Sequence, residues 1–344
     1  LLPSSACLNL GGPEISRKRF DSSVFSLATP KSSTVVVVIF GLGNGAIIIF
    51  DIETGKEVQQ LLGHEGMVMS LALSQSEKIL ASGSQDKTAI LWNMDSYEQL
   101  FVLQVKSPVR ALDFSVDGQR LFTGSEDGYL SSFAATGSRE LLNRTRAHHS
   151  TVTALCTTKD GQYVATAPDD YSNRSIKLWK ADTLGIENTL VCQTYGVWCV
   201  VATDAGKDSP MLVCASANKI KIWDLKTYQE IRTLKHGKDW AKSVAVSDDQ
   251  KHIISGGNDG IVRLWCFHTG KLISCFKGHT GRIRCVKILS DGSRAVSASQ
   301  DGSVRVWRVA SANMEKERSS DNVTNITDIA LSRDGCMCVS ASED

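Results

Sequence analysis

The sequence has almost no excess charge of either sign, because its 344 residues include 38 Lys and Arg against 37 Asp and Glu. A strongly basic chain would point to nucleic acid or an anionic membrane as partner, so neither is expected here. No apolar run approaches the roughly 20 residues that a membrane-spanning helix needs. The first residues also lack the charged-then-apolar order of a signal peptide. We therefore expect a soluble, intracellular protein of the cytoplasm.

Residues spaced to hold a metal or a cofactor are scarce as well. The ten Cys are scattered, and the close pair Cys336 and Cys338 has a one-residue gap, which is not a zinc-knuckle spacing. His148 and His149 have no third ligand near them in the sequence. The glycine-rich stretch 41–45, "GLGNG", is followed by "AIIIF" rather than by the helix of a dinucleotide site. The sequence predicts no metal site and no cofactor.

An internal repeat is present throughout most of the chain. Aromatic residues close alternating, strand-like segments at steps of 42, 41, 46, 44, 42 and 42 residues. These closing residues are Phe50, Trp92, Phe133, Trp179, Trp223, Trp265 and Trp307. A fixed period of this length indicates one supersecondary unit copied along the chain, so its motifs have to be interpreted as parts of a repeat.

Each unit has the pattern of four short strands. Segments such as "SLALS", "KILASGS" and "SVRVW" alternate and are separated by Gly and Asp turns, and a more polar segment such as "KLISCFKG" follows. A single four-stranded unit cannot bury both of its faces. Packing the units side by side around an axis buries them and leaves only short edges, which is the β-propeller arrangement. The predicted fold is therefore all-β.

The period, the Gly-His pair that opens several units, and the Trp-Asp ending at Trp223 resemble the WD40, or β-transducin-like, repeat family. The resemblance covers residues 22–344 and implies seven complete four-stranded blades. The next turn Asp after Asp301 is Asp344, so an eighth unit is cut, and we expect a fragment of a longer protein. Closure with seven or with eight blades stays open at this point. The expected domains are a non-repeat segment 1–21, a propeller 22–316 and an incomplete repeat 317–344.

In this family a His, a Ser or Thr, the turn Asp and the closing Trp form a hydrogen-bonded tetrad inside a blade. Its carry-over predicts three tetrads, each written in that order: His64, Ser82, Asp86 and Trp92; His236, Ser255, Asp259 and Trp265; His279, Ser297, Asp301 and Trp307. Ser, His and Asp could also form a catalytic triad. Recurrence favours the structural interpretation, because an enzyme needs one triad and the indole N–H has no role in it. We therefore predict no catalytic residues and no enzyme activity.

The resemblance also implies a set of binding positions at the rim of the top face. They are the third and fifth residues after the repeat His, or the equivalent positions, with one residue inserted after His236, and the residue before the turn Asp. The first two positions hold Met67 and Met69, Pro108 and Arg110, Thr151 and Thr153, Gly196 and Trp198, Trp240 and Lys242, and Arg282 and Arg284. The third position holds Gln85, Glu126, Asn258 and Gln300.

Two of the seven Trp, Trp198 and Trp240, close no strand and fall at these rim positions in adjacent units. Trp and Arg dominate the energetic hot spots of protein interfaces. Together with Arg110, Lys242, Arg282 and Arg284 they would form an aromatic and basic rim. Such a rim suits acidic or phosphorylated peptides or proteins as partners.

The predicted function is a non-catalytic scaffold for protein–protein interactions. The general run of the repeats looks most like the C-terminal part of NACHT-type NTPases, which implies a sensor and regulatory portion beside an NTPase domain in the same chain. Two alternatives are a free-standing adaptor and a substrate receptor of a ubiquitin ligase. The second is supported only by "WDLK" at 223–226, where such receptors have Trp-Asp-x-Arg.

Overall fold

The computed structural model describes residues 14–20, 22–30, 37–169, 175–192, 196–203, 210–309, 326–331 and 338–342. Over these residues the chain forms 30 β-strands and no α-helix. Four-stranded antiparallel sheets with short Gly and Asp turns are what the period of about 42 residues predicts. The predicted all-β propeller is confirmed. Within the described ranges, no helix is present that could cross a membrane.

Six blades are made of four consecutive strands each, and every strand pairs antiparallel with its neighbours in the chain. The first three blades have the following strands. Blade 1 consists of β2 (Val24–Ala28), β3 (Val37–Leu42), β4 (Ile47–Asp51) and β5 (Lys56–Leu61). Blade 2 consists of β6 (Val68–Leu73), β7 (Ile79–Ser84), β8 (Thr88–Asn93) and β9 (Gln99–Gln104). Blade 3 consists of β10 (Val109–Phe114), β11 (Arg120–Ser125), β12 (Tyr129–Ala134) and β13 (Leu141–Arg146).

The next three blades repeat this order. Blade 4 consists of β14 (Val152–Thr157), β15 (Tyr163–Pro168), β16 (Ser175–Lys180) and β17 (Ile186–Val191). Blade 5 consists of β18 (Val197–Ala202), β19 (Met211–Ser216), β20 (Lys219–Asp224) and β21 (Glu230–Lys235). Blade 6 consists of β22 (Ala241–Val246), β23 (His252–Gly257), β24 (Val262–Cys266) and β25 (Leu272–Phe276).

Blade 7 is completed from the other end of the chain. Its strands β26 (Ile283–Ile288), β27 (Arg294–Ser299) and β28 (Ser303–Arg308) are joined by β1 (Glu14–Arg19), which pairs antiparallel with β28. Arg305 of β28 is almost buried and forms an ion pair with Glu14. The ring therefore closes with seven blades, and the N-terminal segment supplies the last strand.

A two-stranded hairpin of β29 (Ile326–Leu331) and β30 (Cys338–Ser342) follows blade 7 and forms a sheet of its own. It lies within the segment that the sequence assigned to an incomplete repeat. The boundaries proposed after residues 21 and 316 remain predictions.

The hydrophobic core is divided among the interfaces between blades. Seven clusters of buried side chains occur in the described residues, and each draws on two neighbouring blades. The cluster of Val24, Phe40 and Ile48 with Val296 and Val306 joins blade 1 to blade 7. A single twisted sheet has two apolar faces to cover, and a closed ring covers all of them.

Candidate binding surface at the mouth of the central channel

The first strand of every blade, which is its innermost strand, has a β-bulge at the start of its pairing with the second strand. In each case the register between the first and second strands shifts across one residue. The seven bulged residues are Phe25, Met69, Arg110, Thr153, Trp198, Lys242 and Arg284. A bulge leaves one residue unpaired and re-aims its side chain. All seven side chains are half-buried, whereas the residue before each of them is buried.

The seven bulged residues line one end of a central channel, and together they are called the channel mouth below. The channel has a volume of about 660 Å³ and is bounded by the innermost strands of all seven blades. Six of the seven are the residues that sequence reasoning placed five positions after the repeat His, or at the equivalent position.

A second ring of rim residues is tied to the first by the backbone. In four blades the N–H of the residue before the turn Asp donates to the carbonyl of the residue two positions before the bulge. The pairs are Gln85 with Met67, Glu126 with Pro108, Asn258 with Trp240, and Gln300 with Arg282. The structure thus brings the predicted residues of three separate sequence positions to the same end of the channel.

The two tryptophans that close no strand contact each other at this end of the channel. Trp198 lies in blade 5, and Trp240 directly precedes the first strand of blade 6. The ring centres of Trp198 and Trp240 are 6.1 Å apart, at an interplanar angle of 31°. The Nζ atom of Lys242 lies 3.0 Å from the centre of the Trp198 ring and 5.2 Å from that of Trp240. A cation over the face of an indole is a favourable contact. The result is a tilted pair of indole rings with an ammonium group against the face of Trp198 and within reach of Trp240.

Three cations are crowded together beside this pair. Burial lowers the pKa of Lys242 to about 8, and the nearby Arg284 and Arg282 add to the shift. Burial also lowers the pKa of Arg284, with further contributions from Arg282 and Arg110. Across the described part of the chain, no carboxylate forms an ion pair with Lys242, Arg282 or Arg284, whereas Arg110 has one with Glu126 at 2.6 Å. This side of the mouth is positively charged and not neutralised.

The bulged residues of blades 1, 2 and 4 are uncharged. Phe25 and Met69 belong to blades 1 and 2, and the Phe25 ring lies 5.3 Å from the guanidinium of Arg284 in the neighbouring blade 7. Thr153 is less available, because its hydroxyl donates to the backbone of blade 5 at Val197. Gly196 is buried in a conformation with φ of +44° and presents no side chain. The predicted rim is therefore unequal around the ring: both indole rings lie on blades 5 and 6 beside Lys242, Arg282 and Arg284, whereas Arg110 of blade 3 is paired with Glu126.

Sequence reasoning missed Phe25, because the first unit has no repeat His from which to count. A local signal does exist. A buried residue, then the bulged residue, then a small residue recur in every blade, as in "VFS" at 24–26, "VMS" at 68–70 and "VWC" at 197–199. The small residue is needed because it faces a Gly or Ala of the second strand, such as Gly41 opposite Ser26.

The predicted tetrads form in blades 2 and 7. In blade 7 the indole N–H of Trp307 donates to Ser297 at 2.7 Å, and Ser297 lies 2.6 Å from His279 Nε2. Nδ1 of His279 donates to Asp301 at 3.2 Å. Burial lowers the pKa of His279 to about 4, so its imidazole is neutral at pH 7.

Blade 2 has the same chain of hydrogen bonds. Trp92 donates to Ser82 at 2.8 Å, Ser82 is 2.7 Å from His64 Nε2, and His64 Nδ1 is 2.8 Å from Asp86. Burial lowers the pKa of His64, although Asp86 opposes the shift. Every member is bonded to another member within one blade, which is the structural role expected for a buried polar network.

The tetrad predicted for blade 6 does not form as a whole. Trp265 donates to Ser255 at 2.8 Å, but Asp259 pairs with Arg263 at 2.6 Å, and neither ring nitrogen of His236 is hydrogen-bonded to Ser255 or Asp259. The physical reason lies two residues after the turn Asp. A hydroxyl there, Ser303 in blade 7, donates to the Asp at 2.6 Å, whereas blade 6 has Ile261. Without that hydroxyl the carboxylate turns to the guanidinium.

His148 also has a structural partner. His148 Nε2 lies 2.9 Å from Thr166, to which Trp179 donates at 2.8 Å, so blade 4 contains most of a tetrad. His149 is exposed. In the ranges that the structure covers, no three His, Cys, Asp or Glu side chains are placed to hold a metal ion.

The fold and this surface define the class as a seven-bladed β-propeller that presents half-buried aromatic and cationic groups around a central channel. The family model described as "WD domain, G-beta repeat" matches residues 55–93, 97–133, 139–180, 228–266 and 270–308. The matched segments make up more than half of the chain. The chain belongs to the WD40 repeat family.

Similar proteins are about a quarter identical to the chain over the aligned residues. Serine-threonine kinase receptor-associated protein from Gallus gallus is 25% identical over 231 residues, which are 67% of this chain and 63% of that protein. Its counterpart from Dictyostelium discoideum is 24% identical over 70% of this chain and 79% of its own length. Autophagy-related protein 16 from Arabidopsis thaliana is 24% identical over 72% of this chain, but only 40% of that protein is covered.

Proposed function

We propose that the chain is a non-catalytic scaffold for protein–protein interactions and that it binds an extended segment of its partner across the channel mouth. The observation that carries the proposal is the aiming of seven bulged side chains, Trp198 and Lys242 among them, at one end of the channel. β-Bulges are concentrated where a strand has to re-aim a side chain next to a functional site.

The chemistry of the mouth supports a peptide rather than a small molecule. Trp240 is a half-buried and Arg282 an exposed rim residue, and Trp and Arg supply much of the binding energy in protein interfaces. Trp198 also has an indole N–H that is enclosed and for which no acceptor is recorded. A backbone carbonyl of a bound segment could accept that hydrogen bond, and its side chains could pack on the two indole rings.

Peptides selected from a phage-displayed random library on the folded protein would test this proposal. The dissociation constant of a selected peptide, synthesised with a fluorescent label, is then measured by fluorescence anisotropy. Trp240→Ala combined with Arg282→Ala should weaken binding by at least about a hundredfold, since two hot-spot side chains of roughly 2 kcal/mol each are removed.

The matched control is Lys159→Ala combined with Lys287→Ala, at residues nearer the other end of the channel. It should leave the dissociation constant unchanged. Equal binding by the rim variant, the control variant and the unmodified protein would refute the mouth as the binding surface. Melting temperatures of all three proteins establish that each is folded.

We further propose that the propeller is the sensor and regulatory portion of a larger signalling protein, beside an NTPase domain. The support is the resemblance of the repeats to those of NACHT-type proteins. Sequencing the full-length transcript tests this. An upstream G-x-x-x-x-G-K-[ST] motif between a strand and a helix is the expected result. A coding region that adds no domain to the propeller would overturn it and leave a free-standing adaptor.

A further inference from the structure

The charge at the mouth is concentrated in one sector of the ring. Lys242 and Arg284 are bulged residues of the adjacent blades 6 and 7, and Arg282 precedes Arg284 by two residues. They are close enough for Arg284 and Arg282 each to disfavour the charged form of Lys242. The protein as a whole carries a net charge of only +1. Like charges are thus held together here while the rest of the molecule is balanced.

No group of the described chain compensates this sector fully. Arg284 donates only a long hydrogen bond of 3.3 Å to the side-chain amide of Gln300, and its Nε–H is enclosed with no acceptor recorded. The charge of Asp169 raises the pKa of Lys242, but burial together with Arg284 and Arg282 outweighs it, so the net shift is downward. The donors point to an anion that comes from outside the chain.

The number of charges distinguishes between anions. A carboxylate has one charge and two oxygens, so it would leave two of the three cations unmatched. A phosphomonoester has up to two negative charges and three acceptor oxygens, and guanidinium groups bind it through paired N–H donors. Resting on the proposed function, we propose that the mouth binds a phosphorylated serine or threonine of its partner, with the phosphate among Lys242, Arg282 and Arg284.

The rest of the mouth fits a peptide better than the other phosphate-rich partners. Nucleic acid requires cations spread along a stripe or a face, whereas the bulged residues of blades 1, 2 and 4 are the uncharged Phe25, Met69 and Thr153. An anionic membrane would need cations on a protruding surface, whereas Lys242 and Arg284 are half-buried at the mouth of a channel. The indole rings of Trp198 and Trp240 would pack on the residues next to the phosphorylated one.

Three degenerate peptide libraries provide the test, with serine, phosphoserine or glutamate at the fixed central position. Retention on the immobilised protein is measured at equal concentration. The phosphoserine library should be retained at least about tenfold more than the serine library and also more than the glutamate library, because charge-assisted hydrogen bonds replace neutral ones. Raising the ionic strength should reduce this ratio.

Lys242→Met with Arg284→Gln should bring the ratio of phosphoserine to serine close to one. Lys287→Met, three residues beyond Arg284 on β26, is the matched control and should leave the ratio unchanged. Equal retention of the phosphoserine and serine libraries by the unmodified protein would overturn the proposal. Greater retention of the glutamate library would overturn it in favour of acidic segments.

Sedimentation with phosphatidylserine vesicles is run with the same variants. Vesicle binding that depends on Lys242 and Arg284, without any preference for phosphoserine, would overturn the proposal in favour of a membrane headgroup. Failure of the scaffold function has a different signature. In that case the retention of the libraries does not depend on Trp198 or Trp240. The double variant with Trp198→Ala and Trp240→Ala then retains all three libraries as well as the unmodified protein does.

Discussion

The ammonium nitrogen of Lys242 in blade 6 lies 3.0 Å from the centre of the Trp198 indole ring in blade 5. The two residues occupy the same bulge position on neighbouring innermost strands. A contact between blades thus joins the aromatic and the cationic parts of the mouth. It holds a long, flexible side chain in one place, so that less conformational entropy is lost when an anion binds.

Lys242 should destabilise the folded protein at neutral pH. Burial and two Arg lower its pKa to about 8 in the folded state, whereas the pKa of Lys in the unfolded chain is about 10.4. The charged form is therefore less favourable in the folded state than in the unfolded state. Lys242→Met should raise the free energy of unfolding at pH 7 by about 1 kcal/mol, a figure reduced for the solvent exposure of the side chain. Urea denaturation measures it.

The gain from Lys242→Met should shrink as the pH rises from 8 to 10, because the folded protein then loses the same charge that methionine lacks. Lys159→Met, at an exposed position, serves as the control and should change the unfolding free energy little. A loss of stability in Lys242→Met at pH 7 would contradict the electrostatic account.

Asp301 is expected to stabilise blade 7 through its hydrogen bonds. It accepts from Ser303 at 2.6 Å and from the backbone N–H of Thr280 at 2.9 Å, as well as from His279. Asp301→Ala leaves these donors unpaired and should lower the free energy of unfolding by about 1–3 kcal/mol. Thermal melting detects the change, and the exposed Asp95→Ala is the control. An unaltered melting temperature would disprove the tetrad.

Acid should weaken the propeller before its carboxylates titrate. Burial lowers the pKa values of His279 and His236 to about 4, while the unfolded chain protonates its histidines near 6.5. Between pH 6.5 and pH 4 the unfolded state therefore binds more protons than the folded state. The free energy of unfolding decreases as the pH falls, and His279 accounts for a loss of up to about 3 kcal/mol at pH 4. Denaturant titrations at pH 7, 6, 5 and 4.5 measure this slope.

The variant His279→Gln should start from a lower stability and show a shallower slope between pH 6.5 and 4.5. His149→Gln changes an exposed residue, and its slope should match that of the unmodified protein. A slope that is the same in all three proteins would show that the buried imidazoles do not control the acid response.

The closure of the ring should depend on Glu14. Its carboxylate pairs with Arg305, whose side chain is only 7% exposed, across the seam between β1 and β28. Glu14→Ala leaves a nearly buried guanidinium without its ion pair and should cost about 2 kcal/mol, below the 3–5 kcal/mol of a fully buried pair. Arg19→Ala, at an exposed position of the same strand, should cost little. Equal melting temperatures of the two variants would argue against a role for Glu14 in closure.

The close approach of blades 2 and 3 requires a glycine. A Cβ atom on Gly83 would lie 2.5 Å from a methyl carbon of Val109, the residue before the bulge at Arg110. Gly83→Ala should therefore lower the free energy of unfolding by about 1–3 kcal/mol through overpacking. Gly185→Ala, where the nearest atom is 3.4 Å away, is the matched control. Stabilisation by Gly83→Ala would mean that the blades can move apart at no cost.

Much of the fold follows from local patterns. The period of about 42 residues, the alternating strands and the turn residues predict the blades, since each blade is built from consecutive strands. The tetrads of blades 2 and 7 follow in the same way, because His64, Ser82, Asp86 and Trp92 belong to one repeat. Six of the seven bulge positions could be counted from the repeat motif.

The sequence alone did not determine two features: the number of blades, which depends on strands far apart in the chain, and the blade 6 tetrad, which depends on the residue type beside the turn Asp. It left open seven or eight blades, and the pairing of β1 with β28 decides for seven, across nearly 290 residues. It predicted a tetrad at His236, but Ile261 lacks the hydroxyl that holds the turn Asp in blade 7, and Arg263 takes the carboxylate.

The channel mouth shows the same division. The sequence determined which residue types stand at the rim, because each belongs to a local strand pattern. Only the tertiary structure placed Lys242 on Trp198 and crowded it against Arg282 and Arg284. Hydrogen bonding along a strand is local, whereas contacts across the mouth join blades that meet only when the ring has closed, so their geometry depends on the packing of all seven.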